Sequence, residues 1–381
     1  MPEALKNILI AKPSSLGDIV LALPALTALH KSFPDAKISW LVRPEFAPLL
    51  ENHPHLTEVI PFDRKFLGKA WFHPRAFGAL ISLIGRLRRG RFDVAFDFQG
   101  LFRTAILAWL SGCKKRVGMA NAREFAGLLY TDKVPPDPDN PHLVDYYMRM
   151  IQAAGASQTS VEFVFPQDRA AAESVANLLA SHGVAENNYA VLVPGSAQPD
   201  KCWPVERFAF VAQKVSSQFG LPIVAAGTAA EEPLAERLKS LTRVPVANLA
   251  GRTSLKELVA LLRAARLVVS NDTGPGHIAA ALGTPLVLMF SWSNPARIAP
   301  YGRAECMVAN EPYSRGHKIR STDPQHSISA ITIEQVYKKI CEQLAPKGLG
   351  HLPRHSDREL GHPLRESPVA FRDEVEESGR Q

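Results

Sequence analysis

Two hydrophobic patterns alternate along the chain. Short unbroken apolar runs end in loops of Gly, Ser, Asp and Pro, and longer stretches then repeat apolar residues every three or four positions. The first pattern reads as a strand buried on both faces, the second as a helix with one apolar face. Ile8–Ala11 is such a strand; it ends in KPSSLGD, and a helical repeat over Ile19–Lys31 follows. Ile38–Val42, Glu58–Pro61 and Val94–Phe98 read as further strands. Ala47–Glu51, Arg75–Gly90 and Thr104–Ser111 read as helices. After the turn-rich PPDPDNP over Pro135–Pro141 the pattern restarts, with helices over His142–Ala154 and Arg169–His182. The second of these is expected to bridge two halves. Strands follow at Tyr189–Val193, Ile223–Ala226, Leu267–Ser270 and Leu286–Phe290. Between and after them lie helices at Arg207–Phe219, Glu231–Leu241, Leu255–Ala264, Gly276–Leu282 and Glu334–Leu344. Strands alternating with helices predict an α/β protein with parallel sheets and crossover connections. The restart predicts two such sheets of similar size. Ligands bind outside the carboxyl ends of strands in these folds, so a cleft between the halves is the expected site.

The length of 381 residues suits two domains, and 46% apolar residues allow each a core. Four cysteines with no CxxC pair argue against a disulfide framework or a structural zinc site and fit a reducing compartment. The longest apolar run, Ile278–Phe290, is interrupted by Gly283, Thr284 and Pro285, and the start carries too short an apolar stretch for a secretory signal. The net charge of +7 is unevenly spread: Asp63 to Arg123 holds thirteen Lys/Arg against three acids. A basic surface on the first half is therefore expected, suited to phosphates or anionic headgroups. No nucleic-acid motif accompanies it. Residues 347–381 carry Gly, Pro, His and balanced charge without apolar periodicity and are expected to be a disordered tail.

Three strand-end loops carry the chemistry. In Ser14-Ser15-Leu16-Gly17-Asp18 the small residues allow close backbone approach to a ligand. Asp18 reads either as part of a helix cap or as a general base facing the cleft. In the loop Pro194–Pro204 (PGSAQPDKCWP), Lys201 can neutralise a phosphate or can be an exposed loop lysine, and no Walker motif surrounds it. In Ser270–His277 (SNDTGPGH) a loop of small residues opens a helix, a site for diphosphate through free N–H groups and the helix dipole. Thr273 adds a hydroxyl, His277 a donor, and Asp272 an acceptor for a sugar hydroxyl. The alternative is a capped helix without ligand. The absence of GxGxxG disfavours a nicotinamide dinucleotide. Glu231, after a strand and Gly227-Thr228, can hold a ribose or can simply favour a helix start.

Together these loops resemble glycosyltransferase family 9, the ADP-heptose:lipopolysaccharide heptosyltransferases. KPSSLGDIVLALPAL, the lysine of PDKCWP and VVSNDTGPGHIAAALGTP carry the resemblance, in the same order, over about Ile8–Leu344. DRKFLGKAWF (Asp63–Phe72) and DFQGLFRTA (Asp97–Ala105) look most like the heptosyltransferase I type. The resemblance implies a GT-B fold. Residues 1–165 would bind the acceptor, residues 166–325 would bind the ADP-sugar, and a helix within 326–346 would pack back on the first domain. It implies inverting, metal-independent transfer from ADP-heptose to Kdo-lipid A, at the cytoplasmic face of the inner membrane. Asp18 would be the base, and Lys201 would stabilise the leaving ADP. Ser196, Glu231, Asp272, Thr273, Gly274 and His277 would bind the donor. Ser15, Gly17, Arg64, Lys65, Lys69, Gln99 and Arg123 would receive the acceptor. Ala197 departs from a second hydroxyl at the phosphates. The apolar, Arg-rich stretch Ala76–Gly90 is expected either to rest on a membrane interface or to pack its apolar face in the core. Other readings are a family relative adding a later heptose or another sugar, and a non-catalytic sugar-nucleotide or glycolipid binder.

Overall fold

The computed structural model describes residues 5–312 and 319–345, so the expected tail lies outside the described residues. Residues through Leu344 form one unit. The first half runs β1 (Asn7–Ala11), α1 (Leu16–Ser32), β2 (Lys37–Val42), β3 (Glu58–Pro61), α2 (Arg64–Leu67), α3 (Pro74–Arg89), β4 (Val94–Asp97), α4 (Phe102–Leu110), β5 (Lys115–Met119), β6 (Asp132–Val134) and α5 (Leu143–Gln152). The second runs α6 (Arg169–Ser181), β7 (Ala190–Val193), α7 (Val205–Phe219), β8 (Ile223–Ala225), α8 (Glu232–Leu241), β9 (Val246–Asn248), α9 (Leu255–Ala264), β10 (Leu267–Asn271), α10 (Gly274–Ala281), β11 (Leu286–Met289), α11 (Pro295–Ile298), β12 (Met307–Val308) and α12 (Ile333–Leu344).

Both six-stranded sheets are wholly parallel, ordered β3-β2-β1-β4-β5-β6 and β12-β11-β10-β7-β8-β9. In each half the first strand lies beside the fourth, and the order reverses there, the place where such sheets open a crevice for ligands. The central strands β1, β4, β7, β10 and β11 are almost fully buried, as parallel strands covered on both faces must be. That is why they read as unbroken apolar runs. The strands the pattern does not announce are β5, β6, β9 and β12: β5 opens with Lys115 and Arg116, and the others have two or three residues.

Helix α12 corrects one expectation. It packs on β10, β11, β12 and α7 of the second half rather than on the first domain. Its Val336 and Ile340 join a core cluster with Leu267, Val287 and Met289, because their spacing of four places both on the side that faces this sheet. Helix α6 lies on α9, and Lys256 of α9 holds both Asp168, the α6 N-cap, and Glu51 of the first half at 3.5 and 3.1 Å.

His53 ties the first half to the segment leading into the second. Its Nε2–H donates to the Val164 carbonyl at 3.0 Å, and its Nδ1 accepts the His55 N–H at 3.2 Å. Both ring nitrogens are therefore satisfied only in the neutral form. Burial, aided by the nearby His55 and His30, depresses its pKa to about 4 despite the carbonyl contact. The unfolded chain takes up this proton near pH 6.5, so stability falls as pH drops from about 6.5 towards 4. The expected loss from this residue is about 2 kcal/mol between pH 7 and pH 5. Urea unfolding at those two pH values should show a smaller difference for His53→Gln; an equal difference would remove His53 as the cause.

Candidate active site

The carboxyl end of β1 supplies the first half's contribution. Helix α1 starts at Leu16 with Ser15 as N-cap, so Asp18 occupies the third helical position. Its Oδ2 accepts the Ser15 backbone N–H and hydroxyl, each at 3.1 Å. Lys12, buried at the strand end, places its ammonium 3.5 Å from the same oxygen and 5.8 Å from the Tyr147 ring centroid. Asp18 Oδ1 has no hydrogen-bond partner among the described residues. Burial alone would favour the neutral acid, but the Lys12 charge and the Ser15 donors outweigh it and hold the carboxyl below its ordinary value. The cap uses Oδ2 and leaves Oδ1 without a partner among the described residues, so the capping role does not preclude a proton-accepting one.

The second half answers with a hydrogen-bonded triad centred on a buried carboxylate. Asp272, at the end of β10, accepts the Lys201 ammonium on Oδ2 at 2.6 Å and meets His277 Nε2 on Oδ1 at 3.1 Å. Burial pushes this carboxyl up, yet His277 and Lys201 together bring it far below the usual carboxylate range. Asp272 therefore fixes the two cationic or donor side chains rather than standing free. Asn271 locks the lysine loop beside it: its Oδ1 takes the Trp203 N–H at 3.0 Å, and its Nδ2 donates to the Pro194 carbonyl at 2.9 Å. Thr273 is the N-cap of α10; Pro275 has no N–H and the His277 N–H bonds the Thr273 carbonyl at 3.2 Å, so the Gly274 and Gly276 N–H groups are the first-turn donors ahead of the intrahelical ladder. Glu231 accepts the Thr228 N–H and hydroxyl at 2.7 and 3.0 Å, and it lies so close to Gly195 that a Cβ there would come within 2.4 Å of it.

The two sets meet. A Cβ on Gly17 would fall 2.6 Å from the His277 ring, and one on Gly274 would fall 2.5 Å from Leu16. Only glycine lets α1 and α10 approach this closely. Between the halves opens a cavity of about 650 Å³, within the range of small-molecule sites. Ser15 and Gly17 line it from one side, and Ser196, Lys201, Glu231, Asp272, Thr273 and Gly274 from the other. Asp18 and His277 are not among its lining residues; each is next in sequence or in space to Gly17, which does line it. Gln99 and Arg123 sit on neighbouring loops: Gln99 Oε1 accepts the Ser14 N–H at 3.3 Å, and the Arg123 N–H bonds the Gly100 carbonyl at 2.9 Å. Arg64, Lys65 and Lys69 are exposed on α2 and the turn after it and do not reach the cavity.

With that geometry in hand, the sequence model of glycosyltransferase family 9 (heptosyltransferase) matches residues 80–328. The chain belongs to glycosyltransferase family 9. It is a glycosyltransferase with the GT-B arrangement of two Rossmann-like halves. It is 28% identical over 313 residues to the lipopolysaccharide core heptosyltransferase OpsX of Haemophilus influenzae, covering 81% of this chain and 85% of that protein. Identity to lipopolysaccharide heptosyltransferase 1 of Escherichia coli K12 is also 28%, over 85% of this chain and all of the relative. Among solved structures, E. coli heptosyltransferase WaaC with ADP superposes with a TM-score of 0.71 at 27% identity, over 88% of this chain and 99% of that one.

Three residues lie inside the quoted motifs but receive no role from them. Lys12 is legible only as a charge ending an apolar strand. Asn271 looks like a spacer in SNDTG. Asp97, at the end of β4, is buried and accepts Tyr130 and Thr104 hydroxyls at 2.7 and 2.8 Å and the Gln99 and Gly100 N–H groups at 2.9 and 3.1 Å. Burial raises its pKa despite these donors. It shapes the loop that carries Gln99. Its signal was the polar residue closing VAFD.

Proposed function

We propose that this family 9 enzyme moves heptose from ADP-L-glycero-D-manno-heptose to the Kdo region of a lipid A-Kdo acceptor, the first heptose of the lipopolysaccharide inner core. The observation that carries the reading is the Gly17–His277 contact, which sets a carboxylate of the first half beside the diphosphate-type turn of the second. Relatives named as lipopolysaccharide heptosyltransferases support the donor and the pathway, as does WaaC solved with ADP-2-deoxy-2-fluoro heptose. Residues 1–165 form the acceptor side and residues 166–325 the donor side.

The step is a single inverting displacement that uses no metal. The acceptor hydroxyl oxygen attacks the anomeric carbon from the face opposite the diphosphate, and the bond from that carbon to the phosphate oxygen breaks. Asp18 Oδ1 takes the hydroxyl proton. ADP leaves with the bonding electron pair, and Lys201, with the Gly274 and Gly276 N–H groups at the start of α10, stabilises its growing charge. His277 acts through Asp272, and Glu231 and Ser196 hold the nucleotide. Ser15, Gly17, Gln99 and Arg123 border the acceptor path. Arg64, Lys65 and Lys69 meet the acidic glycolipid farther out. The enzyme works peripherally at the cytoplasmic face of the inner membrane; among the described residues no helix is long and apolar enough to cross it.

The test is to incubate the protein with ADP-heptose and Kdo-lipid A and weigh the lipid. Gain of one heptosyl unit is the expected result. Product with another sugar nucleotide and none with ADP-heptose would replace the donor, and tight donor binding without any product would leave a binding protein.

A further inference from the structure

We infer that the turn between α2 and α3, with Trp71 and Phe72 at its tip, docks the first half onto an anionic bilayer surface. Trp71 and Phe72 are 90% and 93% exposed. Single exposed aromatics are ordinary, but here two adjacent ones stand almost fully in water, flanked by Phe77 and Ile81 at 55% and 53%. The turn is built rather than loose. Asp63 caps α2 by accepting the Phe66 N–H at 3.0 Å, and the N–H groups of Lys69, Ala70 and Phe72 bond to the carbonyls of Phe66, Leu67 and Lys69 at 3.0, 3.1 and 3.0 Å. Pro74 then opens α3.

Helix α3 does not itself lie in the membrane. Its Ala76, Leu83 and Leu87 are buried, the last two packing with Ile60, Phe62 and Phe92, which settles the earlier alternative in favour of the core. What remains outward is the aromatic tip and the Phe77–Ile81 stripe one turn apart.

Charge chooses the occupant. From Arg64 to Gly90 there are seven Lys/Arg and no Asp or Glu. Of these, Arg86 pairs with Glu58 at 2.7 Å, while Arg64, Lys65, Lys69, Arg75, Arg88 and Arg89 are exposed. Trp71, with an apolar body and a polar N–H edge, settles at headgroup depth, Phe72 adds apolar area beside it, and surrounding cations are drawn to anionic lipid. Two weak signals of these kinds together give reversible attachment. The inference rests on the reading of the acceptor as a membrane glycolipid, but vesicles lacking that glycolipid test it separately.

The experiment is co-sedimentation of the full chain with vesicles of phosphatidylcholine alone or with about one-third phosphatidylglycerol, beside Trp71→Ser/Phe72→Ser. The wild type should bind the anionic vesicles, release them as salt rises, and ignore the neutral ones. The double variant should bind them about tenfold or more weakly, with unchanged melting temperature and ADP binding, since neither ring supports the fold. Equal binding by the variant, or no binding by the wild type, overturns the inference. So would self-association that the two substitutions abolish, which would make the patch a contact between copies. Heptose transfer to a detergent-dispersed acceptor reads out the proposed reaction independently: its loss with docking intact would fault that reading and leave this one standing.

Discussion

Asp18→Asn should bind ADP with nearly unchanged affinity and turn over at least about 100-fold more slowly. The substitution keeps size and leaves an oxygen to accept the Ser15 donors at the start of α1, so the fold and the cavity should persist. What disappears is basicity. The Lys12 ammonium already holds Asp18 ionised in the native protein, so no pH adjustment can restore an equivalent base in the amide. The depressed acid also sets a pH signature: wild-type activity that depends on this carboxylate should stay flat through the ordinary carboxylate range and fall only at lower pH. Single-turnover rates with saturating donor, beside nucleotide binding by calorimetry, separate chemistry from binding. A rate within threefold or so of wild type would take Asp18 out of the base role.

Lys201→Ala should cost about 2–4 kcal/mol of transition-state stabilisation, seen in kcat as well as in ADP affinity. The lysine faces the cavity while its ammonium sits on buried Asp272. Its removal therefore acts twice. The leaving diphosphate loses a cation, and Asp272 is left with His277 alone. A buried charge losing one partner destabilises the fold, here by up to about 3 kcal/mol because the imidazole remains. Rates should be taken well below the variant's own melting temperature. An unaltered kcat/KM would return Lys201 to the role of a structural counter-ion for Asp272.

How much of this was legible beforehand follows from what each residue does. The central strands declared themselves because burial on both faces forces unbroken apolar runs; β5, with Lys115 and Arg116 at its start, and the two-residue β12 did not. The loops bearing Asp18, Lys201 and Asp272 were visible because small residues and lone polar groups at strand ends are unusual against an apolar background. Their company was not visible. That Lys12 pairs with Asp18, or that Lys201 crosses 71 positions to Asp272, is a fact of folding, not of spacing. The place of helix α12 is illegible for a related reason: an apolar stripe tells that a helix packs, not against which sheet.

The Lys201–Asp272 contact gives the enzyme a resting counterweight. The Lys201 ammonium lies 2.6 Å from the buried Asp272 carboxylate, so the cation proposed to meet the diphosphate already has an internal partner. If Lys201 serves the donor as proposed, an incoming diphosphate competes with Asp272 for it, which would weaken the hold on stray phosphate. On the same proposal Asp272 would take the lysine back as ADP departs, so release would leave no bare charge behind.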